Sequence, residues 1–239
     1  TTPTSRRGVY ASVYKRFTLV AGEAATPPAL VHLPRIDDAD MVLVHQNHAV
    51  AQSFTFPHTP DLAIVVPPGT ILTLEDGGRP DPFPLVAVPL PVDRLPGPMP
   101  PNPSTIVPFI VGFQPELAIS SLPIAIYYPN VLGTPPGAPV SLTTLDPTRG
   151  IMLTYGTGLV SADGRQIVPD FDPAYPGLRY GLIHMGWHGP VQPPPSALSP
   201  APPGSGVCPQ GIKPVDPASG LASMSETDIT LPRARRGGV

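Results

Sequence analysis

The chain has 239 residues, 40 of them Pro and 23 Gly, with 41% hydrophobic and 13% charged residues and a net charge of −3. So much proline excludes long helices, because each one removes a backbone donor and clashes with the preceding turn; the high apolar and low charged content excludes an ordinary disordered chain. Two lysines, Lys15 and Lys213, and a slightly acidic balance speak against a nucleic-acid-binding surface, and no run of about 18 apolar residues reads as a membrane span.

In chain order, short apolar runs alternate with turn residues. Residues 9–20 and 41–44 are strand candidates, and residues 52–56 alternate, with Phe54 and Phe56 on one face. Residues 62–66 are continuously apolar, the pattern of a strand buried on both faces. After the Pro67-Pro-Gly69 turn come residues 70–74, 85–90, 106–113, 122–128, 140–145, 151–160, 165–168 and 180–184. Asp163-Gly164 supplies the turn of a hairpin between residues 158 and 168. Pro108 and Pro123 fall inside apparent strands and belong at edges, strand starts or bulges. This spacing predicts an all-β protein, with an Ig-like β-sandwich over residues 37–190 whose core comes from residues 62–66, 106–113 and 122–128.

Composition changes after Pro190. Residues 193–206 are dominated by Pro, Ser, Ala and Gly, favour extended polyproline II geometry and cannot build a core of their own. Residues 191–214 therefore read as a Pro-rich extended linker that lies along a surface, anchored by Leu198, Val207 and Ile212. Residues 215–239 read as a tail that adds strands to an incomplete sheet by β-augmentation through Met224, Thr227, Ile229 and Leu231. Residues 1–36 read as the end of a preceding β module or an N-terminal strand arm. The first residues lack an apolar signal core, so a signal has been removed or the chain is a piece of something longer.

Candidate chemistry is sparse. His45 and His48 are three apart and His184 and His188 four apart; on strands such pairs are too distant to chelate one metal, and no acid completes a zincin pattern. Asp37, Asp38 and Asp40, and the pair Glu75 and Asp76, lie at apparent turns, where acids cap backbone donors. Cys208 is alone, so it forms neither a disulfide within the chain nor a zinc site. The nucleophile elbow and the phosphate loop are both missing. The segment 180–188, which holds the only tryptophan, reads as a final strand whose Trp187 plugs the open end of the sandwich. These readings assign no catalytic residue, no metal and no cofactor.

Several stretches together resemble a known family. In order they are Val66-Pro-Pro-Gly-Thr70, Val88-Pro-Leu-Pro-Val-Asp-Arg-Leu-Pro96, Tyr128-Pro-Asn-Val-Leu-Gly-Thr-Pro-Pro-Gly137, Leu145-Asp-Pro147, Gly156-Thr-Gly-Leu-Val-Ser-Ala-Asp-Gly164 and Gly186-Trp-His188. The series resembles the β-rich domain that precedes the shell of bacterial secreted RHS/YD-repeat proteins. Asp216-Pro-Ala-Ser-Gly220 and Ser225-Glu-Thr-Asp-Ile-Thr-Leu-Pro232 resemble the entry into the RHS region. Residues 16–35 look like the last strands of a carboxypeptidase-regulatory-like module. The chain carries no YD repeats, so it reads as a fragment or as a homologue that uses the domain elsewhere. The resemblance implies a non-enzymatic structural module, secreted or at the cell surface, that joins or plugs a β-shell. Its partners would be the remainder of an RHS-type polypeptide or neighbouring copies of itself. Two other readings stay open: a subunit of a self-assembling extracellular filament or adhesin, and a β-sandwich metal-dependent hydrolase.

Overall fold

A computed structural model describes residues 4–5, 8–13, 22, 33–91, 106–146 and 149–192. Leu198, Val207, Cys208, Ile212, Met224, Thr227, Ile229 and Leu231 lie outside the described residues, as do most of residues 9–20 and all of residues 193–239. No described helix is long and apolar enough to cross a membrane.

The described chain is nearly all β. Two short strands, β1 (Thr4–Ser5) and β2 (Gly8–Val9), pair with each other, and a single 3-10 turn occupies Asp38–Asp40. Twelve further strands follow: β3 (Met41–Val44), β4 (Gln52–Phe56), β5 (Thr59–Val66), β6 (Leu72–Thr73), β7 (Phe83–Leu90), β8 (Ile110–Gln114), β9 (Ile119–Pro129), β10 (Pro139–Asp146), β11 (Ile151–Val160), β12 (Gln166–Pro169), β13 (Gly181–His184) and β14 (Trp187–Val191).

All twelve belong to one sheet, in the order β3-β7-β8-β14-β10-β11-β12-β9-β5-β4, with β13 and β6 also paired to β9. The sequence predicts a sandwich of two sheets. β12 joins them, pairing β11 through Val168 and Ile167 and β9 through Gln166 and Ile167, and the sheet curls until it is nearly a closed barrel. The ends of the path, β3 and β4, have no backbone ladder between them, and side chains stitch this seam at both ends. Gln52 accepts from His45 N–H at 3.0 Å through Oε1 and donates to His45 C=O at 2.9 Å through Nε2, which copies a strand pairing with one amide. At the other end the buried Asp40 carboxylate accepts from the His58 backbone at 3.1 Å and pairs with the His58 ring at 3.2 Å.

Alternation sorts the apolar residues into two cores. The larger fills the barrel and takes Phe56, Leu62, Ile64, Val66, Phe113, Ile124, Ile126 and Tyr128 among others. The second lies on the opposite face of β7, β8, β10 and β14, where Val86, Val88, Leu90, Ile110, Leu145 and Trp187 pack with Ala11 and Ile36 of the N-terminal arm. Ala11 N–H to Pro34 C=O and Ile36 N–H to Val9 C=O join the two described stretches of the arm to each other, and Ser12 N–H donates to Gln114 Oε1 of β8 at 3.5 Å. Trp187 therefore packs in the second core, on the strand β14, and does not plug the open end. It lies flat over Gly112, where an added Cβ would fall 2.7 Å from the indole.

Most expected strands recur within a residue or two. The hairpin turn at Asp163-Gly164 joins β11 to β12, with Gly164 at φ +72°. Pro108 precedes β8, and Pro123 lies in β9 where the register of β13 shifts. Residues 62–66 differ from expectation: burial alternates, and Ala63 and Val65 are only half-buried. The sheet also runs past Pro190, through Val191 to the Gln192–Ile106 bridge.

Gln52→Ala opens the stitch at one end of the seam and leaves the His45 backbone unpaired. We expect a loss of about 1–2 kcal/mol in urea unfolding, with faster hydrogen exchange at the His45 amide than at the core amides of β9.

Candidate functional site

The His and Asp residues singled out from sequence fall into separate places. The His45 and His48 rings are 6.4 Å apart in the β3–β4 loop, which is organised by Gln46: its amide donates to the carbonyls of Leu72 and Pro80 and accepts from Leu72 N–H. His45 also approaches Asp81 at 3.5 Å, with both side chains mostly exposed. Asp37 and Asp40 face His58 at 3.6 and 3.2 Å, where Asp37 also caps the 3-10 turn through Ala39 N–H. Asp38 is exposed on a shallow apolar surface with Val9, Met41 and Pro84. Among the described residues no three His, Cys, Asp or Glu side chains are arranged to hold a metal ion.

His184 instead opens onto a cleft of about 390 Å³ between three chain turns: Glu116 and Leu117 after β8, Thr144, Leu145 and Asp146 at the end of β10, and Met185 and Gly186 between β13 and β14. The β8–β9 turn is rigid. Met185 N–H donates to Ala118 C=O, Leu117 N–H donates to Met185 C=O, and Leu117 holds φ +63°, a region that favours glycine. Glu116 is half-buried; one carboxylate oxygen is buried without a hydrogen-bond partner, and its N–H donates to the Gln114 side chain at 3.3 Å. Burial pushes the Glu116 carboxyl up to about 8, against a smaller downward pull from Gln114. Asp146 faces the same cleft and pairs with Arg149. The cleft thus combines a carboxyl that stays protonated at neutral pH, a paired carboxylate and an exposed imidazole.

Behind the cleft, His188 is buried. Its Nε2–H donates to the His184 carbonyl at 3.1 Å, which leaves Nδ1 buried and unpartnered, and its ring packs between Phe113 and Tyr155. Desolvation pushes His188 down to about 4, so it is neutral in the folded protein. Tyr155 and Tyr128 share a hydroxyl contact at 3.1 Å, and burial raises both phenols above their ordinary value.

A polar hub closes the opposite end of β9. Asn130 bonds the Thr134 and Gly164 carbonyls and the Thr134 N–H, and Gln192, fully buried, donates from Nε2 to Thr134 Oγ1 at 2.8 Å and to Asn130 Oδ1 at 3.2 Å. Sequence reasoning missed Glu116, Asp146 and Gln192. For Glu116 the one available signal was an acid between the apolar runs 106–113 and 122–128; Asn130 and Gln192 meet across 62 residues and carried none.

Comparison with protein-family models, curated proteins and solved structures finds no match to this chain.

Glu116 and His188 give pH responses of opposite sign. The raised Glu116 contributes stability below about pH 4.5 that is lost as pH rises through about 8. The depressed His188 contributes stability above about pH 6.5 that is lost as pH falls through about 4, on the order of 3 kcal/mol. The two slopes oppose each other between about pH 4.5 and 6.5. In thermal melts from pH 4 to 9, Glu116→Gln should therefore remove the decline toward about pH 8 and uncover a steeper rise from about pH 4 to 6.5, whereas His188→Gln should remove that rise and leave a decline from about pH 4.5 to 8.

Proposed function

We propose that the chain is a non-enzymatic structural module of a secreted or cell-surface assembly of the RHS/YD-repeat type, joining or plugging its β-shell. Its near-closed barrel fills the place that the expected Ig-like sandwich would hold. The observation that carries the reading is the exit of the chain from the barrel. Gln192 is the last described residue before Pro193-Pro-Pro195, and four bonds fix it: reciprocal backbone bonds with Ile106 at 2.8 and 2.9 Å, and two side-chain bonds into the Asn130–Thr134 hub. A buried glutamine whose amide joins the β9–β10 loop to the departing strand resists displacement, since breaking it strands polar groups away from water. A connection of that kind gives the chain a fixed point of departure from the barrel. Residues 215–239, with Met224, Thr227, Ile229 and Leu231, would then supply the strands that assemble with the remainder of an RHS-type polypeptide or with neighbouring copies.

A chain ended after Gln192 should melt within a few degrees of the full chain and lose every species larger than a monomer in light scattering. Retained assembly would assign the contacts to the barrel and overturn the role given to the tail.

One specific observation favours a second reading, hydrolysis at the Glu116 cleft, where a protonated carboxyl, the Asp146 carboxylate and the exposed His184 line one cavity. Such chemistry would require Glu116 as the proton donor, so hydrolysis of an ester or glycoside panel by the full chain should fall at least about a hundredfold in Glu116→Gln. Activity unchanged by that substitution would remove this reading.

A further inference from the structure

The two outward faces of the barrel are treated differently. The face of β7, β8, β10 and β14 is covered by the N-terminal arm. On the face of β5 and β9, Val65 and Tyr127 are only half-buried, and they form one wall of an open groove of about 200 Å³ with Pro68 and Pro123. The other wall is the loop after β12, which presents Phe171 and Leu178. Phe171 is 64% exposed, more than any other large apolar side chain described, yet it is held firmly: Arg179 stacks 4.5 Å over its ring, and Asp172 N–H to Leu178 C=O and Tyr180 N–H to Asp170 C=O close the loop beneath it. The run 62–66, whose composition is that of a strand buried on both faces, has one of those faces in this groove.

We propose that this groove is the docking site of the chain's own residues 193–198, Pro-Pro-Pro-Ser-Ala-Leu, bound in extended polyproline II form with Leu198 as the distal anchor. Three observations select this occupant. The first is chemistry: aromatic and proline walls with a preformed shape accept polyproline II segments, which lose little entropy on binding, and the segment is uncharged, matching an apolar groove. Arg179 donates one bond to Pro169 C=O and keeps further guanidinium donors for the carbonyls that such a segment leaves unpaired. The second is position. Gln192 is pinned beside Asn130, immediately past the end of β9, and Tyr127, Ala125 and Pro123 follow back along that strand. The third is reach. From Asn130, Tyr127 lies about 10 Å and Pro123 about 23 Å along the strand, and six residues at about 3.1 Å each span about 19 Å. Because the Gln192 backbone stands two side-chain lengths from that of Asn130, the segment reaches the Tyr127 end of the groove, where Phe171 forms the facing wall. This docking needs no assembly and would be present in a monomer, so it stands or falls independently of the structural role proposed above.

The test uses the full chain, in which Pro193, Pro194 and Pro195 are replaced together by Gly, Ser and Gly, with NMR signals followed at Tyr127, Phe171, Leu178 and Arg179. The substituted chain should shift these groove signals and leave Tyr155 and Trp187 in place. A hexapeptide of residues 193–198 should return them toward the wild-type positions, and should bind the wild-type chain at least roughly tenfold more weakly, because the tethered copy competes. Phe171→Ala, at a mostly exposed position that leaves the core intact, should abolish the peptide's effect on Leu178. Groove signals unmoved by the triple replacement would overturn the proposal. So would wild-type signals that move toward those of the substituted chain on dilution, since the occupant would then come from a second copy.

Discussion

A curled sheet must do something with its two free edges, and in this protein that constraint falls on β3 and β4. Both edges expose backbone donors and acceptors that would otherwise recruit another chain. Full ladder closure would fix strand tilt and stagger around the whole circumference. The molecule instead closes the gap with side chains, the Gln52 amide at one end and the Asp40 carboxylate at the other. The histidines and acids of these segments are thereby engaged in closure and loop construction. His45 offers its backbone to Gln52, His58 fills Asp40, and Asp37 caps the turn before β3. Residue types that look like chemistry in the bare sequence become joinery once the seam has to be held.

Curling the sheet also determines where the unusual electrostatics lie. Away from the seam, the barrel carries two groups in unfavourable charge environments, Glu116 and His188, separated by the turn that ends β13. Each has an atom buried without a partner, and each answers by shifting toward its neutral form. The β13–β14 turn touches both: Met185 and Gly186 line the Glu116 cleft, and the His184 carbonyl orients the His188 ring. A change in that turn would be felt on both sides.

The fold was largely legible where local rules govern. The extents of β3, β4 and β11 match their expected runs, with Pro57 ending β4 and Gly150 opening β11, and the β11–β12 hairpin follows from Asp163-Gly164. The strand β14 was harder to see, because residues 180–188 read as one final strand, whereas the chain turns at Met185-Gly186 into β13 and β14 and β14 continues through Gly189 and Pro190. Gly189 is there because the Phe109 backbone comes too close for a side chain, and Pro190 sits opposite Leu142 in the sheet. Both reasons are tertiary. The joining of two expected sheets into one was also hidden, since it rests on β12 meeting β9 nearly 40 positions away along the chain. The site was less legible still. Glu116 is ordinary in sequence and becomes unusual only through what β10 and β13 bring against it.

The single tryptophan has a further consequence. Trp187 is buried on the face shared with Ala11 and Ile36, its indole flat on Gly112 and its N–H without a partner. Its fluorescence therefore comes from the second core and not from the barrel interior. Detachment of the N-terminal arm would admit water to the indole and move its emission to the red while the β-sheet circular dichroism held steady. Separation of those two signals would reveal that the molecule comes apart in layers, with its outer coat leaving before the vessel opens.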